Sequence, residues 1–103
     1  MGEQEILSNI VKELRKVFDP EIPVNIYDLG LVYKVDVDEN GKAYIQMTLT
    51  APNCPVADSV VMMTETAVKR AEGVKDVNVE LVFEPQWDKS MMNDEAKLEL
   101  GML

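Results

Sequence analysis

The dipeptide Asn40-Gly41 stands between two runs in which apolar and polar residues alternate, and this arrangement constrains the fold more than any other feature of the chain. Before it, Tyr33, Val35 and Val37 fall on one side and Lys34, Asp36 and Asp38 on the other. After it, Ala43, Ile45, Met47 and Leu49 alternate with Tyr44, Gln46, Thr48 and Thr50. Period two is the mark of a half-buried strand, and Asn-Gly supplies the positive φ of a tight hairpin turn. The two runs are therefore expected to pair antiparallel. Each has a single apolar face, so another part of the chain must cover it.

Covering elements flank the hairpin on both sides. Residues 3–17 carry Ile6, Leu7, Ile10, Val11, Leu14 and Val17 at helical spacing. Asp19-Pro20 ends that helix, because proline drives the residue before it out of the helical region. Downstream, Pro55 suits the first turn of a second helix. Its expected buried side is Val56, Val60, Met63, Ala67, Val68 and Ala71, and Gly73 stops it. Val77, Val79, Leu81 and Phe83 then alternate with Asn78, Glu80 and Glu84 as a third strand. A short helix follows from about Asn93 to Leu100, closed by Gly101.

The order α-β-β-α-β-α predicts an α/β (α+β) two-layer sandwich, a three-stranded mixed sheet with its helices on one face. A strand, a crossover helix and a strand favour parallel pairing, so the third strand is expected parallel to the second. The other face, with Tyr44, Thr48 and Val82, is expected to be a mixed polar surface, solvated or against a second copy. The 103 residues contain no repeat, low-complexity tract or linker, and residues 1–103 read as one domain.

Charge and composition then exclude whole classes of function. Nineteen acidic against ten basic residues give a formal charge of −9, a field that repels phosphate backbones and anionic lipid. No nucleic-acid partner and no membrane surface is expected. There is no histidine, which removes Ser-His and Cys-His catalysis and every imidazole ligand. A single cysteine allows neither an intrachain disulfide nor a multi-cysteine metal site within one copy, and it suits a reducing cytoplasm. The first residues, MGEQEIL, carry acids where a secretory leader would be basic, and Ile6 stands where a myristoylation motif wants Ser or Thr.

Three segments could carry chemistry. Thr50-Ala51-Pro52-Asn53-Cys54-Pro55 joins a strand end to a helix start and places the one thiol there. Unpaired amides and the positive end of the helix dipole favour a thiolate at such a place, and Pro52 and Pro55 stiffen the backbone around it. A free cysteine can equally be a small apolar filler; the location favours a reactive or metal-binding sulfur. Asp19 to Gly30 is a loop stiffened by Pro20 and Pro23, presenting Asp19, Glu21, Asn25 and Asp28 while Ile22, Val24, Ile26 and Leu29 dock inward. Its carboxylates could add hard oxygen ligands beside a thiolate. On pattern alone, capping is the better reading, with Asp19 serving a helix end or turn and Asp28 accepting from amides near Gly30. The third segment holds Trp87, Met91 and Met92; Trp87 is expected to clasp the last helix to the core, and the seven methionines, Met62 and Met63 among them, to serve core and rim packing.

Together DPEIPVNIYDLGLVY, TAPNCP, and EPQW followed by MMNDEAKLELG resemble the SufT/PaaD-type iron–sulfur cluster assembly domain, a family that includes the eukaryotic MMS-nineteen-interacting protein. The resemblance runs from about Ile6 to Gly101 and agrees with the element order read from periodicity. It implies a non-enzymatic accessory factor that assists iron–sulfur cluster maturation or delivery to recipient proteins. By motif match the family's reactive cysteine is Cys54, which would also be the metal contact, its loop acid is Glu21 within DPE and its motif threonine is Thr50; Pro55 and Asp19 stand beside them in support. The single cysteine departs from the cysteine-rich zinc segment of the PaaD branch, so the free-standing SufT-like type fits best. No firmly bound cofactor is implied; a transient iron–sulfur cluster or iron at a homodimer interface is, because one thiol cannot hold a cluster. The implied partners are other iron–sulfur assembly proteins and recipient apo-enzymes. The alternative is a non-catalytic adaptor that docks through the Asp19-Pro20-Glu21 loop, with Cys54 structural.

Overall fold

The structure, a computed structural model, describes residues 2–19, 22–50 and 57–101. Helix α1 spans Glu3–Leu14, strands β1 and β2 span Val32–Val37 and Lys42–Met47, and helix α2 spans Ala57–Lys69. Strand β3 covers Asp76–Leu81, and helix α3, Asp94–Glu99, follows a short 3-10 turn at Lys89–Met91. The expected order α-β-β-α-β-α is the observed one. The sheet runs β1-β2-β3, with β1 antiparallel and β3 parallel to β2.

The hairpin forms where the alternation places it, with Val37 opposite Ala43 and Val35 opposite Ile45. Its turn is built differently from the expected Asn-Gly geometry. Gly41 alone takes positive φ, at 81°, and the Asp38 carboxylate organises the turn by accepting from the amides of Asn40 and Lys42, both at 2.9 Å. The alternation also fails at one point. The β1–β2 register shifts between Val32, opposite Met47, and Lys34, opposite Gln46, leaving Tyr33 as the extra residue of a bulge. Val32 packs against the core in its stead, and the Tyr33 hydroxyl donates to the carbonyl of Pro85 at 2.8 Å.

The covered face of the sheet comprises Val35, Val37, Ala43, Ile45, Met47, Val77, Val79 and Leu81. Helix α1 packs on β1, α2 packs on β3, and the two helices touch each other. From α1, Ile10 and Leu14 are wholly excluded from water, each burial contributing about 2 kcal/mol. From α2 come Val60, Ala67 and Val68, and Ala71 joins them from just past its end.

Several expectations are corrected by this packing. Helix α1 ends at Leu14 rather than running to residue 17, and Val17 reaches the core from the turn that follows. On α2 the inward position is Thr64, not Met63: Thr64 lies one turn after Val60, and its hydroxyl donates to the Val60 carbonyl at 2.8 Å, which satisfies it in the core. Met63 and Met62 are exposed. Thr48 does not belong to a polar outer face. It lies beyond the end of β2, is buried, and donates its amide to the Leu31 carbonyl at 2.8 Å. Tyr44 is on the exposed face as expected, Val82 is half-buried, and Phe83 lies past β3 in the open. Pro55 and Val56 lie outside the described residues. Among the described residues, no helix is long and apolar enough to cross a membrane.

Candidate functional site

The loop between α1 and β1 is held by its own backbone. Ile26 donates its amide to Val17 at 2.8 Å, Leu31 donates to Ile26 at 3.1 Å, and Phe18 and Asn25 form an isolated antiparallel bridge. Val24, Ile26 and Leu29 are buried, as the inward-docking reading requires, and Ile22 packs partly against the core. Asp19 is not displayed to solvent. It is buried, and one carboxylate oxygen accepts the Ile22 amide at 3.1 Å, an Asx-type turn of the kind that capping anticipates. Pro20 and Glu21 lie outside the described residues.

Asp28 is likewise buried rather than presented. Its carboxylate does not serve amides near Gly30. It accepts instead from the side-chain amides of Asn25 and Asn93, both at 2.8 Å, and from the Arg15 guanidinium at 3.4 Å. Asn25 reciprocates by accepting the Asp28 amide at 2.9 Å, and the Asn93 amide donates to the Asp28 carbonyl at 3.0 Å. The Asn93 side-chain oxygen then caps α3 at the Ala96 amide, 2.9 Å away, while Arg15 also pairs with Glu95 on α3. Burial pushes the Asp28 carboxyl up, but donation by Asn25 and Asn93 and the charge of Arg15 outweigh it and hold the group below the ordinary carboxylate range. Asn93 was legible as a helix start, being an Asn before Asp94 and Glu95. Its bond to a carboxylate 65 residues away carried no sequence signal.

A strap after β3 closes over this loop. The Trp87 indole donates to the Leu29 carbonyl at 2.7 Å, and Met91 crosses Gly30 so closely that a Cβ there would collide with the Met91 carbonyl. Trp87 is thus a clasp, as expected, though its hydrogen bond runs to the loop. Its neighbours Gln86, Asp88 and Lys89 line an open depression whose other wall is Thr50. Asp88 is fixed by accepting the Ser90 amide at 3.2 Å. Through Trp87 and Leu29 the structure joins the Thr50 side of the sheet to the loop that carries Asp19. Cys54 and Pro55 lie outside the described residues, between Thr50 and the start of α2 at Ala57. Among the described residues, no three Cys, Asp or Glu side chains gather to hold a metal ion.

A family model described as "Iron-sulfur cluster assembly protein" matches residues 7–81, which include both the Asp19 loop and the Thr50–Pro55 segment. The chain is 56% identical over 95 residues to a protein of Porphyromonas gingivalis named "Fe-S protein maturation auxiliary factor", covering 92% of this chain and 90% of the relative. It is 40% identical over 86 residues to "Fe-S protein maturation auxiliary factor SufT" of Staphylococcus aureus, covering 84% of this chain and 98% of the relative. A longer protein of Synechocystis named "Iron-sulfur cluster carrier protein" matches at 32% identity over 80% of this chain and 23% of its own length. Among solved structures, a domain from Bacillus anthracis described as DUF59, of unknown function, superposes with a TM-score of 0.90 at 35% identity, covering 98% of this chain and 96% of that one.

Proposed function

The chain belongs to the iron–sulfur cluster assembly protein family, and on that footing we propose that it is an accessory factor that helps mature iron–sulfur proteins, with the cluster or its iron as cargo. The observation that carries this is the match of residues 7–81, which takes in both motif segments, the Asp19 loop and the turn around Cys54. Cys54 is assigned the working thiol, in contact with iron, sulfide or a recipient's ligand. A cysteine just ahead of a helix gains from amides and dipole that stabilise its thiolate.

The remaining residues take supporting roles. Asp19 spends one carboxylate oxygen on the Ile22 amide inside the loop, so its part is to shape the segment that carries Glu21. Thr50 and Pro55 bracket the thiol in sequence, and Pro55 with Pro52 stiffens the backbone around it. Glu21 is the acid assigned to the cargo or to a docking partner. One thiol and no imidazole cannot satisfy four-coordinate iron, so two copies, each giving Cys54, hold the cargo transiently at their junction. The partners are other assembly proteins and recipient apo-proteins, the compartment is the cytoplasm, and the role is not that of an enzyme. The relatives named as auxiliary factors and carriers support this reading.

The test is anaerobic reconstitution with iron and sulfide, following size, metal content and visible absorbance together. The expected product is a dimer that carries cluster and loses it in Cys54→Ser. In a deletion strain, Cys54→Ser should fail to restore a cluster-dependent dehydratase while leaving its polypeptide level unchanged. Iodoacetamide labelling of Cys54 should show a midpoint below the free-thiol value of about 8.5. A cluster that persists without Cys54 would overturn its assignment as the working thiol.

A further inference from the structure

Strand β3 forms one edge of the sheet. In a parallel pair only alternate residues turn their N–H and C=O groups toward the neighbouring strand. The Val82 amide donates to the Met47 carbonyl at 2.8 Å, and Met47 stands opposite Leu81. Asn78, Glu80 and Val82 therefore carry the ladder to β2, while Val77, Val79 and Leu81 turn their backbone groups outward. The Val77 amide is answered by its neighbour, the Asp76 carboxylate, at 2.9 Å. Among the described residues, no backbone bond answers those of Val79 and Leu81 beyond the edge.

The two edges of the sheet differ. On β1 the Tyr33 bulge interrupts the run and Lys34 stands exposed, two devices that deter strand addition. Strand β3 has a regular six-residue register and contains neither proline nor lysine. One of its faces carries the exposed Asp76, Asn78 and Glu80, and the other the half-buried Val77, Val79 and Leu81. Phe83, 40% exposed, continues the apolar row past the end of the strand.

We propose that the β3 edge takes a partner protein's extended segment as a fourth strand, one alternating apolar and basic side chains. The outward groups of Val79 and Leu81 supply main-chain pairing, and the row Val77, Val79, Leu81 and Phe83 meets the apolar side chains. Asp76 and Glu80 meet the basic ones, since opposite charges directly across a strand pair stabilise it and like charges oppose it. A second copy of this chain is the poorer occupant, because it brings a further −9 and the same two acids.

The probe is a labelled six-residue peptide alternating lysine and valine, with blocked ends, titrated by fluorescence anisotropy. Val79→Pro removes an outward N–H while sparing the ladder to β2 and leaving every charge in place. It should weaken binding about tenfold or more, with far-UV circular dichroism checking that the fold is kept. Glu80→Lys should weaken it several-fold and reduce its salt dependence. In the wild-type complex, amide exchange should slow at Val79 and Leu81, with Asn78 and Glu80 unchanged. Peptide binding that Val79→Pro leaves intact would reduce the contact to unspecific charge attraction and overturn the proposal. A concentration-dependent dimer abolished by Val79→Pro would assign the edge to a second copy and overturn it too.

Discussion

Asp28 shows how one side chain can decide whether a loop has a shape. Its two oxygens collect Asn25 from its own loop, Asn93 from the start of α3 and Arg15 from the end of α1. Asn at this position would turn an amide N–H₂ toward donors already there, leaving buried hydrogens unpaired. Asp28→Asn should therefore cost about 2 kcal/mol at pH 7, read from urea unfolding. The pH dependence has a definite sign. The folded carboxyl titrates below its unfolded value of about 3.9, so its contribution is complete above that value and fades as pH falls through the folded one. The gap between wild type and Asp28→Asn should accordingly narrow as pH is lowered beyond the unfolded value of about 3.9; a constant gap would show that charge has no part in it.

At the level of elements, alternation and spacing carried most of the information. Both strands of the hairpin, the parallel third strand and all three helices were legible, because each buries a single face and the sequence repeats that face at a fixed period. What periodicity could not show was where regularity breaks. The bulge at Tyr33 answers to Pro85, 52 residues further along, and Thr64 reads as polar until its hydroxyl is paired with the Val60 carbonyl. The candidate site was legible only as three separate segments. The junction of the loop with the strap depends on Gly30, whose φ of 82° and missing Cβ let Met91 pass across it. Gly30→Ala should cost more than about 2 kcal/mol, since both the backbone angle and the strap resist a methyl group. Gly101, also at positive φ but with nothing within 4 Å of an added Cβ, is the control; its alanine variant should cost about 1 kcal/mol or less by the same urea measurement.

Over the whole molecule, a formal charge of −9 sits in a body with a radius of gyration of 13.4 Å. Salt at about 0.1 M screens charge over about 10 Å, so the carboxylates repel across much of the surface when salt is scarce. Raising sodium chloride from about 20 mM to about 500 mM should lift the melting temperature by about 4–8 °C, the equivalent of about 1 kcal/mol. A fall over that range would mean that the ion pairs from Arg15 to Asp28 and Glu95 outweigh the repulsion. The strap has a consequence in time as well. Leu29 waits for Trp87 and Asp28 for Asn93, partners 58 and 65 residues later in the chain. At about 5–20 residues per second of synthesis, the loop leaves the ribosome several seconds before anything can fasten it. During that interval the growing chain already displays the acids of the loop and, soon after, its only thiol. The strap that fastens the loop arrives last, so under the proposed function a nascent chain that met iron early would meet it with the loop still unfastened.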